Sequence, residues 1–355
     1  RRTGPLFRFL WALPPHFSFA SHIDYGQSHG AARRHCERGL SMYRKLFFIF
    51  LLTGLLAFCA PYAARRLQQR AAAQEVLAAS AQPEAVETAD LLVNVWLVEE
   101  DVCQSVALEQ YLAGVVAAEM PLSSEPAALQ AQAVAARSYL LSKLGTASHE
   151  NGADICTDST HCLAWRAPDP QADTAAFEAV SATSGQVLTY GDAVAQTVFC
   201  AMTGELTESA AEIWGSSSMP YLTNVPSPGD AQQEDYVTTV TMSPEQFWQA
   251  VSPLSPDTEA APLVVLRRSA GDTVLSCTVG GVQTTGQELR GLLGLRSARF
   301  WLDYEGDALC FTVKGYGHGV GMSQAGAQVM AQSGSTYAEI LAAYYPGCTL
   351  CKITF

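Results

Sequence analysis

Apolar and polar residues alternate over residues 92–98, LVNVWLV, which predicts a half-buried β-strand. Apolar residues then recur at helical spacing over 111–120, and this pattern ends at Pro121, which predicts a helix. A second helix is expected from Pro126 to about Gly145, because Ser123 and Ser124 supply cap residues just before a first-turn proline. Glu119 therefore lies at the junction of two predicted helices.

From residue 186 onward, short strand patterns are separated by Gly, Pro and Asp. We expect a hairpin over 186–200, two strands around 270–272 and further strand structure over 300–313. Ser243 and Gln246 have capping-box spacing, which predicts a short helix, and another is expected over 285–293 before Gly294. A glycine-rich loop over 315–321 precedes two helical segments. The mixture lacks regular βαβ alternation and predicts an α+β fold, with a helical face bearing Glu119.

The N-terminal region has a different character. An apolar run over 46–60, LFFIFLLTGLLAFCA, follows Arg44 and Lys45, and its basic flank predicts that the N-terminus stays inside the cell membrane. About 20 apolar residues span a bilayer, so the run is slightly short and needs 61–64 as well. Residues 42–65 are therefore expected to form a signal anchor or a cleaved signal peptide, which would place the body outside the membrane.

The predicted organisation divides the chain at these features. Residues 66–90, rich in Ala, Gln and Glu, are expected to form a stalk, and 91–355 a single body with a smaller inserted subregion at about 235–300. The sequence begins at Arg1, whereas Met42 resembles an ordinary start just before a signal sequence. Residues 1–41 are hypothesised to be a non-native or disordered extension.

Charge separates the two parts of the chain and restricts the class of partner. Residues 1–70 carry 11 Lys/Arg and two acids, whereas the rest carries 10 basic and 32 acidic residues, a net charge of −22. Nucleic-acid binding requires clustered Lys and Arg to replace counterions, so this acidic body is a poor nucleic-acid partner. A neutral polymer such as a glycan suits it better.

Several segments of the body resemble the stage II sporulation protein D family, which includes the amidase-enhancer relatives. The resemblance covers about residues 92–350, and its matching segments are LEQYLAGVVAAEMP, ALQAQAVAARSYLL, ESAAEIWGSSSMPYL, GQELRGLLGLRSARF and GYGHGVGMSQAGAQVMA. It implies a lytic transglycosylase that cleaves peptidoglycan glycan strands during engulfment in spore formation. In that family the Glu of the AEMP segment is the catalytic acid, which corresponds to Glu119.

One carboxyl group suffices for this chemistry. Ordinary glycosidases use two carboxyl groups. A lytic transglycosylase can use the 6-hydroxyl of N-acetylmuramic acid as a tethered nucleophile, with high effective molarity, and leaves a 1,6-anhydro end. Glu119 would need a raised pKa, which its apolar neighbours Val115, Val116 and Met120 can provide by desolvation. The alternative is an ordinary solvated residue at a helix end.

Other residues are candidates for substrate contact. Arg137 lies on the second predicted helix and either pairs with an acid such as Glu119, extends to solvent or orients the substrate. The glycines of 315–321 permit close backbone approach, so the loop either presents Tyr316 and His318 to sugars or forms a tight turn. Ser323 and Gln324 can hydrogen-bond a sugar. Thr203 can supply a hydroxyl, although its segment departs from the polar turn usual in the family.

A His/Cys cluster follows the second helix. Two His and two Cys lie within residues 149–162, a plausible zinc set although not with zinc-finger spacing. The family resemblance implies zinc held by His149, Cys156 and Cys162, in a structural role beside Glu119, with a fourth position open. From the residues alone, His161 can replace His149, and a Cys156–Cys162 disulfide or free thiols are alternatives.

Three function classes follow from these features. The first is a glycan-cleaving lytic transglycosylase. The second is a non-catalytic wall-binding partner that enhances an N-acetylmuramoyl-L-alanine amidase. The third, a zinc-dependent hydrolase of wall peptides, is weakened because the sequence has no H-E-x-x-H pattern. Expected partners are glycan strands, with a partner amidase and membrane proteins of an engulfment complex as further candidates.

Overall fold

The computed structural model describes residues 91–145, 149 and 151–353. The expectations for the extension, the anchor and the stalk fall on residues 1–90 and lie outside the described residues. Within the described ranges, no helix combines the length and apolar character needed to cross a membrane.

Eight helices are present in the described part of the chain. They are α1 Leu108–Glu119, α2 Pro126–Lys143, α3 Thr174–Ala182, α4 Ala210–Trp214, α5 Pro244–Ala250, α6 Gly286–Leu293, α7 Gln324–Gln332 and α8 Tyr337–Tyr344.

The described strands form five small sheets. Sheet β2-β1-β3 comprises β1 Leu92–Leu97, β2 Val102–Ala107 and β3 Ile155–Cys156; sheet β14-β4-β5 comprises β4 Gln186–Tyr190, β5 Ala193–Val194 and β14 Thr349–Lys352; and β6 Phe199–Cys200 pairs with β13 Met322–Ser323. The other two are β11-β12-β7, from β7 Val237–Met242, β11 Phe300–Glu305 and β12 Ala308–Lys314, and β10-β9-β8, from β8 Val264–Arg268, β9 Val274–Val279 and β10 Val282–Thr284. Pairing is antiparallel except for β1 with β3 and β6 with β13.

The main hydrophobic core surrounds α1 and α2. Alanine is the commonest buried residue of α2, so neighbouring helices and strands approach it closely; the buried alanines include Ala131, Ala133 and Ala135, and α1 adds Ala113. Helices α3, α7 and α8 contribute buried side chains to the same core. This core holds the end of α1, and with it Glu119, in one position relative to α7.

A second core is formed by α5, α6 and the two sheets β11-β12-β7 and β10-β9-β8. Its buried side chains run from Phe247 to Val313, with Phe311 between Phe247 and Phe300. The inserted subregion expected at about 235–300 covers most of this span.

The predicted α+β class is confirmed, and local patterns located many elements. Helices α1 and α2 occupy the predicted segments, Ser243 and Gln246 form the predicted capping box, and Gly294 ends α6 in a left-handed conformation. Strand β2 and helix α3 lie in segments for which no element was predicted. The 186–200 hairpin is shorter than predicted, since β6 leaves it to pair with β13.

Candidate functional site

Glu119 is the last residue of α1, and its two carboxyl oxygens accept hydrogen bonds from different parts of the chain. Oε1 accepts from the backbone N–H of Ala164 at 2.9 Å, and Oε2 accepts from Nε2 of Gln324 at 3.3 Å. Gln324 is the first residue of α7, and Ser323 caps that helix by accepting from the N–H of Gly326. The helix break before Pro121 and the cap at Ser323 therefore place these two side chains face to face.

Desolvation dominates the electrostatics of Glu119. Burial raises the pKa of its carboxyl group, and the hydrogen bonds from Ala164 and Gln324 lower it by a smaller amount. The position at the C-terminal end of α1 also disfavours negative charge, since the helix dipole is negative there. Glu119 is thus suited to hold a proton at a pH where an exposed glutamate is ionised.

The segment bearing the Ala164 amide lies directly on α1. The ring of Trp165 stacks on that of Tyr111, with ring centres 6.3 Å apart. A Cβ at Gly114 would come within 2.4 Å of both the Arg166 carbonyl oxygen and Nε1 of Trp165, so only glycine permits this approach. Arg166 makes a bidentate ion pair with buried Asp173, at 2.6 and 2.7 Å. Gly114 and this ion pair fix the segment against α1.

The other end of the segment carries the His/Cys cluster. Four ligand atoms, from His149, Cys156, His161 and Cys162, lie within 4.8 Å of one another. Sγ of Cys162 is 3.3 Å from Nδ1 of His161 and 3.6 Å from Nε2 of His149, and Sγ of Cys156 is 3.4 Å from Nδ1 of His161. Tetrahedral zinc separates a sulfur from a nitrogen ligand by about 3.5 Å. The arrangement fits a four-coordinate ion.

The structure brings both histidines to the cluster, so His161 joins His149, Cys156 and Cys162 as a candidate fourth ligand. Cys156 and Cys162 do not form a disulfide here. The turn at 158–162, in which the Asp158 carbonyl oxygen accepts from the N–H groups of both His161 and Cys162, directs these two side chains to the cluster.

Arg137 is not at this site, which corrects its expected substrate contact. Its side chain has no exposed surface and makes an ion pair with Glu109 at 2.8 Å. It also donates to the carbonyl oxygens of Val180, Thr183 and Gln186, at the end of α3 and the start of β4. A guanidinium satisfied in this way joins α1, α2 and α3 and is not free to contact a substrate.

Thr203 and Ser323 are also buried, and their hydroxyl groups bond to Asp230 and do not reach the surface. The backbone N–H and hydroxyl of Thr203 donate to Oδ2 of Asp230, and the hydroxyl of Ser323 donates to Oδ1. Burial raises the pKa of Asp230, and these hydrogen bonds offset part of that effect. Asp230, which the sequence analysis did not select, fixes the cap of α7 and therefore the position of Gln324.

The glycines of the 315–321 loop pack against residues 198–208 of the same chain. Gly315, Gly317, Gly319 and Gly321 all have positive φ, and a Cβ at Gly321 would meet the Val198 carbonyl oxygen at 2.0 Å. The loop therefore forms the tight turn that the sequence offered as one of its two alternatives.

Two side chains of this loop reach the surface. Tyr316 is 45% exposed, and one face of its ring is covered by the Arg296 guanidinium at 4.4 Å. His318 is half-buried and lies 5.3 Å from the ring of Trp214, which is 44% exposed. Burial and nearby Arg290 lower the pKa of His318 to about 4. Its Nδ1 accepts from the N–H of Val320, so Nε2 of the neutral ring carries the donor proton.

The matching family model is that of the stage II sporulation protein, SpoIID, over residues 98–190. The chain is 34% identical over 258 residues to stage II sporulation protein D of Bacillus amyloliquefaciens, covering 69% of this chain and 74% of the relative. It is 31% identical over 281 residues to the Bacillus subtilis protein of the same name, covering 76% and 81%. An amidase enhancer of Bacillus subtilis is 28% identical over 296 residues, covering 67% of this chain and 40% of that protein.

Proposed function

The chain belongs to the stage II sporulation protein D family, and we propose that it is a lytic transglycosylase that cleaves peptidoglycan glycan strands, with Glu119 as acid and base. The observation that carries this proposal is the environment of Glu119. Its carboxyl group is desolvated and is held by a backbone amide and a glutamine amide. These contacts orient the carboxyl group and leave its proton available for transfer.

The reaction needs one carboxyl group and no water. Glu119 gives its proton to the glycosidic oxygen as the bond from that oxygen to C1 of N-acetylmuramic acid breaks. The 6-hydroxyl oxygen of the same sugar forms a new bond to C1, and its proton passes to the Glu119 carboxylate. Glu119 is again protonated, and the two products together have the composition of the substrate. The tethered hydroxyl supplies the effective molarity that a second enzyme carboxylate provides in other glycosidases.

Zinc in the cluster would have a structural role. His149, Cys156, His161 and Cys162 are the nitrogen and sulfur donors of a closed tetrahedral zinc site. The ion supplies rigidity to the segment that carries the Ala164 amide. A zinc-dependent peptide hydrolase requires a coordination position open to water, and four protein ligands argue against that third function class.

Exposed aromatic residues near the glycine loop are candidate contacts for sugar faces. Trp214 and Tyr316 present ring surface to solvent, and the half-buried ring of His318 lies beside Trp214. Apolar ring faces of this kind suit an uncharged glycan. Similarity to an amidase enhancer supports one alternative, a wall-binding protein that stimulates a separate amidase without cleaving glycan.

The proposed substrate also implies that the body of the protein lies outside the cell membrane. Peptidoglycan lies outside the cell membrane, so the proposal requires export, for which the apolar run over 46–60 with its basic flank is the candidate signal anchor. Protease added to intact protoplasts should remove the body of the protein while a cytoplasmic marker stays intact. Protection of the body would contradict this localisation.

Digestion of purified glycan strands tests the proposed reaction. Mass spectrometry should find 1,6-anhydro-N-acetylmuramic acid ends with the wild-type protein, and Glu119→Gln should produce none while retaining the wild-type circular dichroism spectrum. Reducing ends would indicate hydrolysis and overturn the proposal. Absence of cleavage, combined with faster hydrolysis by an added amidase, would favour the enhancer alternative.

A further inference from the structure

We propose that Gln132 is a positioning residue, whose buried amide oxygen holds Gln324 in the orientation that presents Nε2–H to Glu119. Gln132 lies on α2, has no exposed surface and accepts a hydrogen bond from Gln324 through its amide oxygen. The consequence for turnover rests on the proposed function, whereas the effect on Gln324 does not.

The geometry places one amide group between two acceptors. Nε2 of Gln324 donates to Oε2 of Glu119 at 3.3 Å and to Oε1 of Gln132 at 3.4 Å. A primary amide has two N–H donors and one oxygen acceptor, and rotation by 180° about its last bond exchanges them. With Nε2 facing both oxygens, each of its hydrogens has an acceptor. In the rotated state, an oxygen would face two oxygens.

Gln132 stabilises the orientation of the Gln324 amide in which Nε2 faces Glu119. The carboxyl of Glu119 exchanges its proton during the proposed reaction, so when protonated it can donate to a rotated Gln324 oxygen. The oxygen of Gln132 cannot donate in any protonation state, so Gln324 can rotate without losing this contact only if the amide of Gln132 rotates with it. Once Glu119 is protonated, Gln132 therefore makes rotation of Gln324 a change of two amide groups and not of one.

The NH₂ group of the Gln132 amide, which has no hydrogen-bond partner, supports a role for this residue other than packing. Nε2 of Gln132 is buried and has no hydrogen-bond partner. An unmade buried hydrogen bond is unfavourable, and an apolar side chain of the same length would avoid it. The neighbouring buried residues of α2 are mostly alanine, valine and leucine. A glutamine in this setting is explained by its oxygen, which is the atom in contact with Gln324.

NMR spectroscopy of the purified full chain, with selectively ¹⁵N-labelled glutamine, tests the positioning directly. The side-chain NH₂ signals of Gln324 are identified by their loss in Gln324→Met. Gln132→Met, which removes the acceptor but keeps the side-chain length, should shift these two signals and bring their proton frequencies together. Unchanged Gln324 signals in folded Gln132→Met would overturn the proposal.

A second variant tests whether the oxygen is the acting atom, and Gln132→Leu repeats the loss of the acceptor if Gln132→Met does not fold. Gln132→Glu, whose carboxyl group is kept neutral by burial, retains an acceptor oxygen toward Gln324, so the Gln324 signals should keep their wild-type separation. Their collapse would contradict the assignment of the oxygen as the acting atom. Ser138→Ala is the matched control, because it removes another buried polar group of α2, one that accepts from the Leu188 N–H. It should leave the Gln324 signals unchanged.

Kinetics on glycan strands provide the second readout. Gln132→Met should lower kcat about tenfold, as small misplacements of catalytic contacts do, while KM changes little. The double variant with Gln324→Met should be no slower than Gln324→Met alone, since both act through one contact. If the fold-losses in kcat of the two single variants multiply in the double variant, the proposal is contradicted. If the wild-type protein cleaves no glycan, the proposed function fails, and the NMR result still decides whether Gln132 positions Gln324.

Discussion

The backbone N–H of Ala164 donates to Oε1 of Glu119 at 2.9 Å, and Ala164 lies two residues after Cys162. One short segment therefore joins the His/Cys cluster to the candidate catalytic acid. Since Ala164 contributes through its backbone N–H, no substitution other than proline removes this hydrogen bond. The position of the segment can be changed only from its two ends or from the helix beneath it.

If the cluster holds zinc in the proposed structural role, loss of the metal should reduce glycan cleavage. Cys156→Ser removes one of the four candidate ligands and should abolish stoichiometric zinc binding, measured by atomic emission on the purified protein. Because the Ala164 amide would lose its fixed position, we expect a fall in kcat of about 10–100-fold, the range seen when partners that orient a metal site are removed.

Cys103→Ser is the control for that experiment, since Cys103 is exposed on β2 and is not in the cluster. It should retain zinc and full activity. Full glycan cleavage by zinc-free Cys156→Ser would show that the cluster does not position Glu119.

Substitution of Gly114 tests the same segment from the side of α1. In Gly114→Ala the new methyl group would meet the Arg166 carbonyl oxygen and Nε1 of Trp165, each at 2.4 Å, so the segment must move away from the helix. A displacement near 1 Å at the Ala164 amide predicts a loss of about 100-fold in kcat. Steady-state rates on glycan strands measure it.

Gly291→Ala is the matched control, because Gly291 also lies in a helix and a Cβ there meets nothing within 4 Å. Alanine should raise helix stability by about 1 kcal/mol at that position and leave the rate unchanged. Equal rates for Gly114→Ala and Gly291→Ala would show that the position of the segment carrying the Ala164 amide does not affect catalysis.

The raised pKa of Glu119 predicts a pH-dependent gain in stability for Glu119→Gln. A carboxyl group whose pKa is higher in the folded than in the unfolded state binds more protons when folded, so its contribution to stability falls as pH rises through that interval. The free energy of unfolding of the variant should therefore exceed that of the wild type at neutral pH. The difference should vanish below about pH 4, near the unfolded pKa.

Urea unfolding at several pH values measures this difference. The nearest titratable group that interacts with Glu119 is Tyr111, whose own pKa is raised well above its usual value, so it stays neutral over the range. A stability difference that is independent of pH would contradict the raised pKa.

Local sequence signals were sufficient for the helices that carry the site and insufficient for the contacts within it. Prolines and periodicity lie within a few residues, and they located both helix ends around Glu119, although the N-cap of α2 is Glu125 and neither Ser123 nor Ser124. The Glu119–Gln324 contact joins positions 205 apart, and no local pattern encodes it. Arg137 illustrates the same limit, since an arginine in an apolar helix must find an acid but the sequence does not say which. The role of the glycine loop could not be decided from the sequence, because close approach to a ligand and close approach to the chain itself require the same residue.

Arg137 should matter for stability and not for substrate binding. Arg137→Met would leave the Glu109 carboxylate and three carbonyl oxygens without their donor, and we expect the free energy of unfolding to fall by about 3 kcal/mol. Arg137→Lys should recover little, because a single ammonium cannot reproduce the planar fork that reaches Glu109 and the carbonyl groups together. An increase in KM with unchanged stability would restore Arg137 as a substrate contact.

Trp214, by contrast, should contribute to substrate affinity and not to stability. Its ring is 44% exposed and borders the half-buried ring of His318. If a sugar face covers about 40 Å² of the ring, the apolar contribution is about 1 kcal/mol, or roughly a fivefold increase in KM for Trp214→Ala. The value of kcat should hold, since contacts made equally in the ground and transition states do not affect it. Tyr304→Ala is the matched control, because Tyr304 is a 52% exposed aromatic residue on β11. Equal KM values for the two variants would exclude Trp214 from the glycan-binding surface.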